Sequence, residues 1–460
     1  MKPSLTILSG FALVLVPFWA QCAGYIFPAP LFATVYMAGL VVWALGYYQQ
    51  IKRGSAAELK LAFWIGLALF AAMPPLISRD FYVYILQGQL ALDGLLTYTD
   101  ASVNTMHPFF AMTDPHWQDC PNQYGPVPLA FFKAVAWLGG EHILADLIWM
   151  KIGMACWAIA IFFLVKYIAR AIDLDEVLAQ SVLCLNPIFL LQGIGQMHID
   201  LLSCLLICIF ILAIVQNRLW LSGVSIGLMG ATKFMLFPLF GGLLVVYAIY
   251  SRKNNGLKFS QLAFALLCSV AVLCLTYWPI WEGLDTIRIP MAYHEIKEPV
   301  KSVTELLAYL FAYLWPQTGP SLGAVDPLLQ DKIYWGLKIK PFFQIIALLL
   351  AAWMSYFVVS AKDNKQFFYG AFRIILLVFI LYSPVMHAWY LLTMLPLFAV
   401  AASKREVVLY AVTTLFIANT YEIGLTVGTD LGRIIMILFT VISVLSYFLF
   451  FRKFYFEDLR

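Results

Sequence analysis

The side chains able to do acid–base or anion chemistry in this sequence are few, and they are set in apolar surroundings. Asp80 stands in Arg79-Asp80-Phe81-Tyr82-Val83-Tyr84-Ile85-Leu86-Gln87-Gly88, just past an apolar run. A carboxylate at such a boundary can face a lipid-borne group and an aqueous one, and can serve as a general base if its pKa is tuned to the task. A plain interfacial pair with Arg79 accounts for the same residues. His198-Ile199-Asp200 follows Asn186-Pro187 and Gly193-Ile194-Gly195-Gln196. Asp200 there suits the positive end of a helix, and an ionisable group at membrane depth suits function; both readings stand. Lys233 sits alone in an apolar stretch between Leu228 and Leu236. It can snorkel to an interface or hold an anionic headgroup as a point charge, and Pro238 is expected to break the helix beside it. His387-Ala388-Trp389-Tyr390, after Ser383-Pro384, adds a further polar and aromatic cluster.

The elements that must position these groups follow from composition. Of 460 residues, 63% are hydrophobic and only 12% charged. A soluble protein carries about twice that charged share, because its surface needs polar cover. The chain therefore reads as all-α and polytopic. Apolar runs long enough for spanning helices fall at 5–22, 29–48, 59–77, 144–166, 177–194, 200–216, 219–235, 237–250, 259–280, 341–360, 369–385, 388–402, 406–421 and 431–451, which predicts about 14 spans. The first is taken as a span and not as a cleaved leader, since further spans follow directly. The short apolar segment 127–139, led by Pro126 and Pro128, reads as re-entrant or interfacial, and 301–314 as amphipathic.

Basic residues in the short loops, among them Lys52, Arg53, Lys166, Arg170, Arg252, Lys253, Lys362, Lys404 and Arg405, place one set of loops and both termini on the cytoplasmic side. Two long segments, about 78–143 and 281–340, then lie outside. All six histidines fall on or near that outer face. The net charge of +4 is too small to suggest nucleic acid. Six of the eight cysteines lie in apolar runs as small buried hydrophobes, and a disulfide between Cys22 and Cys120 is left open. No metal-spaced cluster appears. The turn Tyr124-Gly125-Pro126 starts an apolar helix, and the aromatics Phe109, Phe110, Trp117 and Tyr124 suit either an interfacial belt or stacking on a sugar ring.

Taken in order, Arg79-Asp80-x-Tyr82-x-Tyr84-x-x-Gln87-Gly88, Asp93-Gly94, Tyr124-Gly125-Pro126, Asn186-Pro187, His198-x-Asp200, Thr232-Lys233 and His387-Ala388-Trp389-Tyr390 resemble the integral-membrane GT-C glycosyltransferases. The bacterial polyprenol-phosphate-mannose-dependent α-mannosyltransferases are the nearest group, and the resemblance covers roughly residues 60–400. It implies one integral-membrane GT-C-like domain in a bacterial cytoplasmic membrane, with its active site facing outward. It implies a polyprenyl-phosphate sugar donor drawn from the membrane lipids, a lipid, glycan or protein acceptor, and no cofactor. The acidic residue of the first outer loop acts as base in that superfamily, a role that maps onto Asp80. Lys233, Arg79 and His387 are the implied donor-phosphate ligands. Tyr84, Gln87, Tyr124, His198, Asp200, Trp389 and Tyr390 are the implied sugar and acceptor surface.

The sequence departs from the pattern at Gly94-Leu95-Leu96-Thr97-Tyr98, where many relatives have Asn-Pro-Tyr after the glycine, so mannose is a default. Arginine at 79 replaces the second acid of some relatives, and one carboxylate beside an arginine makes a poor cation site. The expected chemistry is base-assisted displacement with inversion. The rival readings are a lipid or sugar transporter, which would need polar groups at the bilayer midplane, and a glycan polymerase or ligase using a diphosphate-linked donor.

Overall fold

The computed structural model describes residues 2–25, 28–75, 78, 80–113, 118, 120–288, 303–316, 327–382 and 387–401. Helices account for the regular structure, and no strand occurs among the described residues. In chain order they are α1 (Pro3–Cys22), α2 (Ala29–Arg53), α3 (Ala56–Ala72), α4 (Asp80–Leu92), α5 (Pro126–Gly139), α6 (Ile143–Ala171), α7 (Glu176–Cys184), α8 (Asp200–Val215), α9 (Leu219–Gly230), α10 (Leu236–Asn255), α11 (Phe259–Tyr277), α12 (Val303–Leu314), α13 (Pro327–Val358), α14 (Asn364–Tyr382) and α15 (Leu395–Ala401). A π-helical turn, Ile188–Gly195, links α7 to α8, and a 3₁₀ segment, Ala388–Thr393, precedes α15.

Among the described residues, four helical segments are long and apolar enough to cross a bilayer: Pro3–Cys22, Ile143–Ala171, Phe259–Ile280 and Asp331–Val358. A fifth counts if α7 and the π turn, bent by 50°, form one span. These helices mark an integral membrane protein. The expectation of about 14 spans is not confirmed: the runs 200–216 and 219–235 fold as the shorter helices α8 and α9, and the segment 127–139 is the short helix α5. α8 is buried along almost its whole length, and a helix wrapped in protein need not match the hydrocarbon thickness. The run 388–402 is not one helix: it divides between the 3₁₀ segment and α15. The runs 406–421 and 431–451 lie outside the described residues. Pro238 does not break its helix either. It stands in the first turn of α10, where its missing N–H costs little, and the chain turns earlier, after Gly230. Cys22 and Cys120 form no disulfide with each other.

Two devices hold the broken helices that carry the site. α7 stops before Asn186-Pro187, leaving orphan carbonyls at its end. Side chains one turn apart on α2 satisfy two of them: the Trp43 indole donates to the Leu185 carbonyl at 3.0 Å and the Tyr47 hydroxyl to that of Val182 at 2.6 Å. The second device is Lys151 on α6. Its buried ammonium donates to the carbonyls of Phe70 at 3.2 Å, Ile194 at 2.9 Å and Gly195 at 2.7 Å. Phe70 lies in the last turn of α3 and the other two end the π turn. One cation thus ties together two helix ends whose continuations run to Asp80 and to His198.

Replacing Lys151 by Met keeps most of the apolar stem and takes the ammonium donor from the Ile194 and Gly195 carbonyls, while that of Phe70 keeps the Met73 N–H at 3.3 Å. A stability loss of about 2–5 kcal/mol is expected, read as a fall in the thermal unfolding midpoint of the detergent-solubilised protein. An unchanged midpoint would show that the carbonyls find other donors.

Candidate active site

The site forms where the starts of α4 and α8 meet the end of α9 and the segment 387–393. Asp80 is the first residue of α4, and a carboxylate there gains from the helix dipole. Its backbone N–H donates to the Ser78 hydroxyl at 3.3 Å, and the Ser78 N–H in turn donates to the Gln196 side-chain carbonyl at 3.0 Å. The approach to α4 is thereby fastened to the turn before α8. Arg79 lies outside the described residues. The described partner of Asp80 is His198, whose Nδ1 stands 3.4 Å from Asp80 Oδ2.

Asp200 is in the first turn of α8. It accepts from Lys233 Nζ at 2.6 Å. The lysine that stands alone in the sequence is thus paired in space. Its ammonium also lies 4.4 Å from the centre of the Tyr390 ring, a cation–π arrangement. Lys233 is 28% exposed on its side chain and Asp200 only 2%. The ammonium carries three donors, so this pairing leaves donor capacity for an outside acceptor.

Tyr124 reaches the same place through the loop that precedes α5. The Tyr98 hydroxyl and the Asn122 side-chain amide both donate to its carbonyl, at 2.8 and 3.1 Å. Gly125 follows, and a Cβ there would collide with the Ala231 backbone carbonyl. That close approach lets the Val127 N–H donate to the same carbonyl at 3.1 Å. The Tyr-Gly-Pro turn is therefore clamped onto the end of α9, two residues before Lys233. Burial pushes the Tyr124 phenol well above its usual range, and the Asp80 carboxylate raises it further.

Tyr84 is buried; it stacks on Phe132 at 4.7 Å and meets Tyr124 edge-on at 5.2 Å. Gln87 is buried on α4 as well, and Gly88 allows α4 to press against the Phe132 backbone of α5. Tyr84 and Gly88 thus take part in the α4–α5 packing and Gln87 is buried on α4, whereas the resemblance had placed Tyr84 and Gln87 on the sugar surface. His198 is fully buried and is likewise not a surface group. Trp389 and Tyr390 come to the site from the 3₁₀ segment, with Trp389 stacked on His198 at 3.9 Å. His387 stacks on Trp389 at 4.3 Å and so joins the aromatic cluster. Lys151 was missed in the sequence because a lysine inside an apolar helix reads as a tolerated interruption.

An all-helical membrane protein with a carboxylate–histidine pair and a carboxylate–lysine pair gathered at its helix ends is the class that fold and site define. The family model for the N-terminal domain of alpha-(1->6)-mannopyranosyltransferases, the MptA_B family, matches residues 11–249, and the chain belongs to that family. It is 24% identical over 252 residues to Alpha-(1->6)-mannopyranosyltransferase A of Mycobacterium tuberculosis, covering 54% of this chain and 48% of that protein. With Alpha-(1->6)-mannopyranosyltransferase B of Corynebacterium glutamicum it shares 25% over 241 residues, 48% of this chain and 40% of that one. The chain thus spans about half the length of the curated relatives it matches. The matched region holds Asp80, Tyr124, His198, Asp200 and Lys233; Trp389 and Tyr390 lie beyond it.

Gly125→Ala is expected to push the Tyr124 turn off the end of α9. Activity should fall by about 10²-fold, the scale of an ångström-sized misplacement, in protein that still elutes as a single species. A fully active Gly125→Ala protein would mean that the clamp does not position the site.

Proposed function

We propose that this protein transfers a mannosyl unit from a polyprenyl-phosphate carrier to a glycan, lipid or protein hydroxyl at the outer face of the cytoplasmic membrane. The observation that carries the reading is the joining of Asp80 with the Lys233–Asp200 pair in one cluster, roofed by Tyr124 and Tyr390. Family membership supports mannose as the sugar, and the basic short loops support the outward orientation.

The acceptor oxygen attacks the anomeric carbon and its proton passes to Asp80. The bond from the anomeric carbon to the phosphate oxygen breaks, and its electron pair leaves with the polyprenyl phosphate. Lys233 meets that developing charge. Asp200 holds the ammonium in place and balances it before the donor arrives, so the phosphate does not have to draw a flexible side chain out of water. Direct displacement inverts the anomeric centre. The transporter reading drew on the short helix pair at 219–250 with a break at Pro238, but Pro238 stands inside the first turn of α10 and does not break it.

The test is turnover of purified full chain with radiolabelled polyprenyl-phosphate mannose and octyl α-mannoside as acceptor. A mannosylated product of inverted configuration is expected; a transporter forms none, and a ligase would require an oligosaccharide diphosphate. Asp80→Asn keeps the shape and removes the base, and should lower kcat by about 10²–10⁴-fold. Lys233→Met should raise the donor KM by about 10–100-fold, the worth of one charged hydrogen bond. Wild-type kinetics in Asp80→Asn would refute the assignment of the base.

A further inference from the structure

His198 has no route to a substrate. Its side chain is fully buried, and neither ring nitrogen has a hydrogen-bond partner among the described residues. What it faces is Asp80, with Nδ1 3.4 Å from Oδ2. Three features aim the ring. Met197 takes a left-handed backbone conformation, φ 60°, which is uncommon for a side chain of that size and turns the chain just before His198. The His198 N–H donates to the Gln192 carbonyl at 3.2 Å, and its own carbonyl accepts from the Leu201 N–H at 3.1 Å. The Trp389 indole lies within 11° of parallel to the imidazole, which fixes the ring plane and leaves its edge towards the carboxylate. Strained backbone held in place by its surroundings clusters at functional sites.

We propose that His198 is a positioning residue for Asp80, not part of the sugar surface. With Nδ1 3.4 Å from Oδ2, a proton on Nδ1 draws that oxygen towards the imidazole and leaves Oδ1 for the acceptor hydroxyl. Among the described residues, Lys233 is engaged by Asp200 at 2.6 Å. Trp389 is thereby given a defined task, keeping the imidazole in the plane from which it can donate. This inference rests on the reading of Asp80 as base and adds to it the group that orients that base.

The experiment compares His198→Phe, which keeps a stacking ring and loses the donor, with His198→Gln, which keeps an N–H, each alone and combined with Asp80→Asn. The readouts are kcat and donor KM with polyprenyl-phosphate mannose and octyl α-mannoside. His198→Phe is expected to lose about 10²-fold in kcat with donor KM unchanged within about twofold, and His198→Gln to recover a large part of it. On the Asp80→Asn background His198→Phe should cost nothing further, since residues acting as one unit are not additive. If His198→Phe does not fold, His198→Met, which fills the volume without an N–H, takes its place. Normal kcat in His198→Phe beside an impaired Asp80→Asn overturns this inference and leaves the proposed function standing. Equal losses in the Phe and Gln variants, or a raised donor KM, also overturn it. A fully active Asp80→Asn protein would overturn the functional reading itself.

Discussion

A single buried ammonium organises this molecule. Lys151 would be costly inside an apolar helix if it stood unpaired. It is paired with three carbonyls, those of Phe70, Ile194 and Gly195. Each sits at a helix end, where the backbone has lost its intrahelical donors. The three bonds join α3 to the π turn and fix the origin of two excursions, one to Asp80 and the other to His198 and Asp200. The hydrogen bond from Ser78 to Gln196 ties those excursions together a second time. Trp43 and Tyr47 do comparable work at the opposite end of the same broken helix.

Helix breaks in a membrane protein are tolerated where neighbouring side chains re-satisfy the freed backbone. Here the breaks do more than survive. By ending α7 early and starting α8 late, the chain places two helix N-termini, those of α4 and α8, beside each other with an aspartate in the first turn of each. Two carboxylates brought together in apolar surroundings repel unless each is answered by its own partner. The structure answers them separately, Asp80 with an imidazole and Asp200 with an ammonium. The two acids are thus given different environments, which is the general condition for two carboxylates to take different roles.

The aromatic residues divide in a similar way. Tyr84 and Phe132 are packing, pressed together by the close approach of α4 and α5 at Gly88. Tyr124 and Tyr390 face the charged groups, one brought in by the clamp of Gly125 on Ala231 and the other by the segment that follows α14. Trp389 serves the histidine. The family match ends at residue 249, so the site is completed by a part of the chain outside the matched domain.

Composition alone established a helical membrane protein, because no soluble surface can be made from so little charge. The residue types also marked Asp80, His198, Asp200, Lys233 and the His387–Tyr390 segment as the places where chemistry could gather, since ionisable groups in apolar runs are expensive and therefore conspicuous. Hydropathy could not tell a spanning helix from a short one sheathed in protein, such as α8, because both are apolar all round. Nor could sequence pair residues far apart. That Lys233 belongs to Asp200, that His198 turns inward to Asp80, that Tyr84 and Gln87 are buried support, and that Lys151 holds the whole together are decided by which helix ends meet. Only the packed backbone sets those distances.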